Sequence, residues 1–150
     1  MEYHMQIREM NLADIELVLP LYVEYYNKYE DSCWTETTAK KRIRQVLTTE
    51  DSFSLIMKDS NDVVCGFAMG YFKQYDDIVG YTLEEIIISH QYQNQGLGSI
   101  LLATLETKVK DAGASCVELH AVKDEMHERF YGKAGYSDAK NFVLKVKWFA

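Results

Sequence analysis

The sequence has little proline, little cysteine and no long apolar run. Pro20 is the single proline among 150 residues, so no proline-rich linker divides the chain. Cys33, Cys65 and Cys116 are odd in number and widely spaced, and they form no Cys-x-x-Cys pair, which argues against a disulfide framework and against structural zinc. Neither an 18-residue apolar run nor a signal-peptide pattern occurs, so we expect a cytoplasmic protein that does not enter a membrane.

Acidic residues outnumber basic ones, 23 to 16, which gives a formal charge of −7. A chain of this charge is not expected to bind nucleic acid, and its long-range field favours a cationic substrate. Its 47% apolar composition supports a hydrophobic core. With no linker in sight, residues 1–150 are expected to form one domain that buries roughly two thirds of its unfolded surface.

Apolar periodicity predicts a mixed α/β protein with a predominantly antiparallel sheet flanked by helices. Proline removes a helical hydrogen bond, so a kink or break is expected near residues 16–20 of the first helix. Asn11, Thr35 and Asp124 are expected to cap helices, and Gly113 and Gly135 to end them. The predicted strands are 3–8, 52–58, 63–72, 81–88, 116–122 and 142–149, with helices from residue 15, from residue 35, after Gly98 and after Asp124.

One turn stands out between a strand and a helix. Residues 93–98 read Gln-Asn-Gln-Gly-Leu-Gly and follow an apolar run at Ile86, Ile87 and Ile88, which is expected to be buried on both faces. A glycine turn that opens a helix directs several backbone N–H groups at one point, where the helix dipole favours an anion. By spacing alone, a Rossmann turn, a P-loop or an ordinary helix start stays open, although the third glycine of the first and the Lys-Ser/Thr of the second are missing.

Two motifs give this turn a family context. Gln93-x-x-Gly96-x-Gly98 resembles the acetyl-CoA pyrophosphate loop of the GNAT N-acetyltransferases. About thirty residues later, Phe130-Tyr131-Gly132-Lys133-Ala134-Gly135-Tyr136 resembles the second signature of that family, Phe-Tyr-x-x-x-Gly-Phe/Tyr. The resemblance covers essentially the whole chain and implies the GNAT acyl-CoA N-acyltransferase fold.

The resemblance implies acetyl-CoA as co-substrate, without a metal. The strands that end near Ile88 and Val122 are expected to splay, so that the pantetheine arm pairs with the backbone of one of them like an added strand. Gln93, Asp124 and His127 stand where Arg, Asn and Ala are usual in the family, so the local contacts of those positions are expected to differ from the family pattern. The implied cofactor-binding residues are Ile86, Ile87, Ile88, Gln93, Asn94, Gln95, Gly96, Leu97, Gly98, Ser99, Asp124 and His127.

Amine attack on a thioester requires a neutral amine. An alkylamine with a pKa near ~10.4 is seldom neutral at pH 7, which adds roughly 4 to 5 kcal/mol to the barrier. Glu84 or Glu85 could act as the base, but consecutive strand residues face opposite sides of a sheet, so only one is expected to reach the substrate. Leu83-Glu84-Glu85 and Gly66-Phe67-Ala68-Met69-x-Tyr71-Phe72 resemble the polyamine (spermidine/spermine-type) branch, which implies Glu84 as base or amine anchor. A structural ion pair of Glu84 with a buried Lys or Arg is the alternative.

Other side chains have implied roles of their own. Tyr131 is the expected general acid that protonates the leaving thiolate, and packing beside Phe130 is its alternative role. Tyr29, Glu30 and Glu85 are implied as substrate contacts, although helical spacing alone favours the tyrosines of the first helix as the edge of the core over the lining of a substrate groove. The basic run 40–44 is expected on a solvated helix face, and metal binding by His120 and His127 is not expected.

The function expected is acetyl transfer from acetyl-CoA to a primary amine of a small, cationic substrate by direct attack. A non-catalytic acyl-CoA sensor, an acetyltransferase of protein or peptide amines and an unrelated nucleotide-binding module stay open. The acceptor is not read from the sequence, and neither is the oligomeric state, although GNAT relatives are often homodimers.

Overall fold

The structure, a computed structural model, describes residues 4–150. The chain divides into a first unit that ends at His120 and a second unit that runs from Ala121 to Ala150. In chain order, the elements are β1 Gln6–Glu9, a 3-10 turn Leu12–Asp14, α1 Ile15–Glu24, a π-helical turn Tyr25–Tyr29, α2 Glu36–Leu47, β2 Ser52–Lys58, β3 Val64–Gln74, β4 Val79–Ile88, a 3-10 turn His90–Tyr92, α3 Leu97–Asp111, β5 Val117–Leu119 and α4 Glu125–Lys133. Of the predicted first strand, Tyr3 lies outside the described residues.

The sheet of the first unit has the strand order β1-β2-β3-β4-β5. The first four strands pair antiparallel, and β5 pairs parallel to β4, which confirms the mixed and predominantly antiparallel sheet. The short turns at 59–62 and 75–78 explain the antiparallel pairs, because hairpins need only a few connecting residues. The parallel strand β5 is reached through α3, a crossover connection.

Alternating residues of the strands build the core. Ile56, Phe67, Met69 and Ile87 are buried in one cluster with the apolar stripes of α1 and α2. Leu55, Met57 and Ala68 occupy the alternate positions and are also buried, so they belong to the other face. Helix α3 contacts β3 and β4 and buries an apolar stripe of its own: Leu97, Leu101, Leu102, Leu105 and Val109.

Several expectations about elements differ from the structure. The break expected near residues 16–20 does not occur, because α1 continues through Pro20 and the helical hydrogen bonding changes to the π pattern only at Tyr25; a kink stays a prediction. Of the three isoleucines of β4, only Ile87 is buried, while Ile86 and Ile88 stay partly exposed, as alternation dictates. The strand expected over residues 116–122 covers only Val117–Leu119, so Cys116, which is exposed, precedes β5. No strand is assigned to residues 142–149 of the second unit, because side-chain alternation supplies the pattern of a strand but not the partner that a ladder needs.

The predicted helix ends are confirmed. The Asn11 side chain accepts from the backbone N–H of Ala13, and that of Thr35 accepts from the N–H of Thr38. α3 ends before Gly113, and α4 ends before Gly135, at φ of 109° and 93°. Within residues 4–150, no helix combines the length and the apolar character that crossing a membrane requires.

Candidate active site

A β-bulge brings two acidic side chains to one place on β4. In the register of β3 and β4, Met69 faces Glu85 and Gly70 faces Leu83, so Glu84 is the additional residue. Both carboxylates lie against the same guanidinium, that of Arg42 in α2. The expectation that Glu84 and Glu85 face opposite sides is therefore wrong, because a bulge interrupts the strict alternation of a strand.

Glu85 is the buried member of this pair. Its side chain is 10% exposed, and its Oε1 atom lies 3.4 Å from the Arg42 Nε atom. The Tyr22 hydroxyl donates to Oε1 at 3.1 Å, and the Tyr26 hydroxyl donates to Oε2. Burial raises the pKa of Glu85, against the opposing effects of Tyr26, Arg42 and Tyr22. Burial, followed by the charge of Glu85, also raises the phenol pKa of Tyr22 and Tyr26.

Glu84 is the more accessible member. Its side chain is 29% exposed, and Oε2 accepts from the Arg42 Nη2 atom at 2.8 Å. The ion pair of Glu84 with an arginine, left open as an alternative, is thus present in the structure, and the Glu84 side chain stays partly exposed. A partly exposed carboxylate at the edge of a buried polar cluster has the access that a substrate-facing acid needs.

Arg42 is the residue that sequence reasoning missed. The basic run was expected on a solvated face, and this is wrong for Arg42, whose side chain is 29% exposed and reaches two carboxylates. A signal was present, because Ala39, Ile43 and Val46 form the buried stripe of α2 and Arg42 follows Ala39 by three residues and precedes Val46 by four. Helical spacing therefore places Arg42 at the edge of the buried face.

Aromatic rings surround this acidic cluster. Tyr22 packs against Tyr26 and Trp34, with ring centroids 4.8 and 5.3 Å apart. The π-helical turn carries the expected substrate residue Tyr29, whose ring stacks on His90 at 4.1 Å and an interplanar angle of 11°. Such turns are rare and occur often at functional sites.

Glu30 directly follows the π-helical turn. Its carboxylate accepts from the Tyr25 hydroxyl at 3.2 Å. Glu84 and Glu85 thus lie on the side of the sheet that α2 covers, because both pair with Arg42, whereas Tyr29 and Glu30 lie at the end of the π-helical turn.

The glycine turn has the geometry of an anion site. Asn94 and Gly96 both adopt the left-handed conformation, with φ of 62° and 76°, and α3 begins at Leu97. Gly96 is the N-cap and has no side chain, so it cannot cap the first N–H groups of the helix. A Cβ atom built at Gly96 would meet no described atom within 4 Å, so the approach to these N–H groups is open.

In the structure, the Gln93 side chain binds the protein backbone. Its Nε2 atom donates to the Ile88 carbonyl at 3.1 Å and so ties the turn to the end of β4. The neutral amide takes the place of the usual arginine without adding charge. The positive potential at this turn therefore comes from the backbone N–H groups and the α3 dipole.

The edge of β4 is free of β5 beyond the middle of the strand. The two strands pair only where Tyr81, Thr82 and Leu83 face Val117, Glu118 and Leu119. β4 continues to Ile88 and stays paired to β3, but no described residue of β5 pairs with it after Leu83. Because β5 ends at Leu119, β4 from Glu84 to Ile88 has no β5 partner, and the expected splaying of the two strands stays a prediction.

The second unit holds the remaining expected residues on α4. Asp124 caps the helix, because its Oδ1 atom accepts from the His127 N–H at 2.7 Å and also lies 2.7 Å from the His127 Nδ1 atom. The hydrogen bond from the His127 backbone, followed by that from its ring, lowers the pKa of Asp124. The Tyr131 ring packs edge-on against Phe130 and Tyr136, with centroids 5.0 and 5.7 Å away. In the described part of the chain, no three His, Cys, Asp or Glu side chains gather as a metal site would require.

Comparison with known proteins places these features in a family. The model of the acetyltransferase (GNAT) family matches residues 15–136, which include both units' expected site residues. The chain belongs to the GNAT acetyltransferase family. A GNAT assignment agrees with the open glycine turn and the mixed sheet, and at this level the sequence prediction is confirmed.

The relatives carry the names of different acetyltransferases. A Bacillus subtilis (strain 168) protein named as a candidate acetyltransferase is 40% identical over 70 residues, which is 45% of this chain and 46% of that relative, so the match spans less than half of either. An aminoglycoside N-acetyltransferase in complex with CoA has a TM-score of 0.75 at 18% identity, over 98% of this chain and 97% of its own. A ribosomal-protein-alanine N-acetyltransferase from Brucella melitensis biovar Abortus 2308 has a TM-score of 0.73 at 17% identity, over 97% and 99%. At these identities the solved structures establish the fold of this GNAT protein and not its acceptor.

Proposed function

We propose that this GNAT protein transfers the acetyl group of acetyl-CoA to a primary amine of a small cationic molecule, by direct attack. The observation that carries the proposal is the pair formed by an open anion-binding turn at Gly96 and a half-exposed carboxylate, Glu84, on the strand that leads into that turn. The family supplies acetyl transfer, and the acidic cluster supplies a reason for a cationic acceptor.

The residues proposed to hold acetyl-CoA belong to β4 and the turn in the first unit and to α4 in the second, the latter on the strength of the family resemblance alone. The backbone N–H groups from Gln95 to Ser99 face the diphosphate, and Asn94 and Gln93 shape the turn. The β4 edge at Ile86, Ile87 and Ile88 offers backbone groups to the pantetheine arm, and Asp124 and His127 are the proposed contacts from α4. The open space at Gly96 supports this assignment, because a side chain there would stand where the phosphates approach.

The acceptor residues are proposed from the cluster under α1 and α2. Glu84 anchors the ammonium group and accepts its proton. Glu85 is the buried residue of the cluster and holds Arg42 in place, with two phenols as its other partners. Tyr29 and Glu30 line the approach. The stacking of Tyr29 on His90, just after β4, and the position of both residues at the end of the π-helical turn support this proposal.

The proposed chemistry needs no covalent enzyme intermediate. Attack by the amine forms a C–N bond to the acetyl carbon and breaks the bond of that carbon to sulfur, and Tyr131 gives its hydroxyl proton to the leaving sulfur. A backbone N–H of the β4 edge stabilises the carbonyl oxygen while it carries negative charge. The acceptor ammonium loses two protons in all. Glu84 takes the first, which leaves the amine neutral for attack, and the second, lost as the tetrahedral intermediate collapses, restores the Tyr131 hydroxyl through solvent.

The direct test is release of free thiol from acetyl-CoA with a panel of acceptors. Spermidine, kanamycin, lysine and a peptide with a free amino terminus cover the polyamine, antibiotic, amino-acid and protein classes. The proposal predicts thiol release and an acetylated product, seen by mass, with a small amine. Binding of CoA without thiol release for any acceptor would favour an acyl-CoA sensor, and release with the peptide alone would overturn the small-amine assignment.

The Glu84→Gln variant tests the role of this residue. We expect kcat to fall by roughly 10²-fold or more, because a positioned base contributes about that much. Glu16→Gln is the matched control, since Glu16 is an acid of α1 that pairs with Lys40 of α2 at 2.6 Å on the exposed surface. Equal losses in the two variants would contradict the role given to Glu84.

A further inference from the structure

Arg42 connects the two acidic side chains of the proposed acceptor site. Its Nη2 atom lies 2.8 Å from Glu84 and its Nε atom 3.4 Å from Glu85. The guanidinium is planar and keeps its charge at any relevant pH. It therefore holds the two carboxylates in position and places a constant positive charge between them. No other described basic side chain forms an ion pair with either glutamate.

The charge of this cluster follows from its members. Above the raised pKa of Glu85, the two ionised carboxylates and one guanidinium carry a net charge of −1, which matches one ammonium group. Without Arg42, two carboxylates would lie together in a partly buried setting, and because like charges disfavour each other's ionisation, a second cation would be needed to keep both ionised. A second cation would then have a place to bind.

We propose that Arg42 determines the acceptor specificity of this site, because it limits the Glu84–Glu85 cluster to an acceptor that brings a single ammonium group to it. The proposal rests on the function proposed above, and it concerns recognition of the acceptor, not the acetyl donor. A longer polyamine remains compatible, provided that one of its ammonium groups occupies the cluster and the others lie outside.

Trp34 offers a local measurement of acceptor binding that is independent of turnover. Its ring lies 5.3 Å from that of Tyr22, which contacts Glu85. The sequence has two tryptophans, so a Trp148→Phe background leaves Trp34 as the single indole reporter. Propylamine and 1,3-diaminopropane, with one and two ammonium groups on the same three-carbon chain, are the probes, titrated in the presence of CoA.

Arg42→Met should raise the affinity for 1,3-diaminopropane relative to propylamine by about tenfold or more, because it removes the one cation inside the cluster. Arg44→Met is the matched control: it removes the same charge from an exposed position of the same helix and should leave the ratio unchanged. Arg42→Lys keeps the charge and should retain the wild-type preference. If Arg42→Met does not fold, Arg42→Gln makes the same test.

The pH dependence of propylamine binding gives a second measurement. The groups that face the two glutamates are Tyr22 of α1, Tyr26 of the π-helical turn, Arg42 of α2 and, on the same strand, Tyr81, whose pKa is raised by burial and by the charge of Glu84. Without the cation the carboxylates protonate more easily. As pH is lowered, binding of propylamine to Arg42→Met should therefore be lost at a higher pH than binding to the wild type.

Three results would overturn the inference: an unchanged affinity ratio in Arg42→Met, an equal change in Arg44→Met, or no binding of either probe to the wild type. Failure of the proposed function looks different, because the probes would bind with the expected preference and no thiol would be released.

Discussion

At the scale of single residues, Glu85 should leave a signature in the pH dependence of stability. Burial raises its pKa in the folded state, so the folded protein binds this proton more tightly than the unfolded chain. The stabilisation is complete below the ordinary Glu pKa and is lost as pH rises through the raised value. In the wild type, the unfolding free energy should therefore decline as pH rises above the ordinary Glu range. Glu85→Gln should lack this decline, as measured by urea denaturation between pH 4 and 8.

Asp14 is the matched control for this measurement. Its hydrogen bonds to Arg8, at 2.8 and 2.9 Å, lower its pKa against the opposing effect of burial, so its contribution has the opposite sign. Asp14→Asn should remove stability that is present above the ordinary Asp pKa and lost as pH falls through the lowered one. Stability curves of wild type and Glu85→Gln that run parallel across the range would contradict the account of Glu85.

Tyr131 is the residue on which the proposed proton transfer to sulfur depends. Tyr131→Phe should lower kcat by roughly 10²-fold or more, because it removes the general acid, and should leave the dissociation constant of CoA unchanged. Steady-state thiol release and calorimetric titration separate the two effects. Tyr136→Phe is the control, since its ring packs on Tyr131 at 5.7 Å and the variant keeps that contact. A sensor, or an enzyme with another acid, would show no loss in Tyr131→Phe.

At the scale of elements, the bulge that presents Glu84 depends on Gly70. A Cβ atom at Gly70 would stand 2.1 Å from the Thr82 carbonyl oxygen and 2.6 Å from the Tyr81 hydroxyl. Gly70→Ala should therefore force β3 and β4 apart beside the bulge and lower the unfolding free energy by about 1–3 kcal/mol. Thermal or urea unfolding measures this loss.

Gly132→Ala is the control for the bulge, because a Cβ atom there meets no described atom within 4 Å and the backbone is helical. Alanine in a helix is more favourable than glycine, so this variant should be neutral or slightly stabilised. An equal loss in both variants would mean that the bulge does not need the glycine.

Local rules predicted most elements and their ends. Asn11, Thr35 and Asp124 act within one helical turn, and the three caps were readable because such bonds need only neighbouring residues. The glycine turn and the hairpins were readable for the same reason. The bulge at Glu84 was not, because it arises from the register between two strands and from the tight contact at Gly70.

The same reasoning separates Arg42 from its neighbours. Composition grouped it with a basic run, although its partners stand on β4, more than forty residues away in sequence. The strand expected at 142–149 failed for a related reason, since a pairing partner is not encoded in the segment itself. Family motifs supplied what periodicity could not, namely the identity of the turn.

At the scale of the whole molecule, charge sets a requirement for the donor site. A chain of formal charge −7 repels an anionic cofactor at long range. With Gln93 neutral, the local attraction must come from the N–H groups of the turn and from the α3 dipole. The binding of CoA therefore depends on the backbone at Gly96 more than on any side-chain cation of that turn.

Calorimetric titration of CoA into the wild type, Gly96→Ala and Gly113→Ala tests this claim most directly. The two glycines flank the same helix, both at positive φ and both with open space at the Cβ position, so alanine imposes a similar backbone cost of about 1–2 kcal/mol at each. We expect CoA to bind the wild type and Gly113→Ala alike and Gly96→Ala about tenfold or more weakly. Absence of CoA binding to the wild type, or equal affinity in all three proteins, would contradict the account.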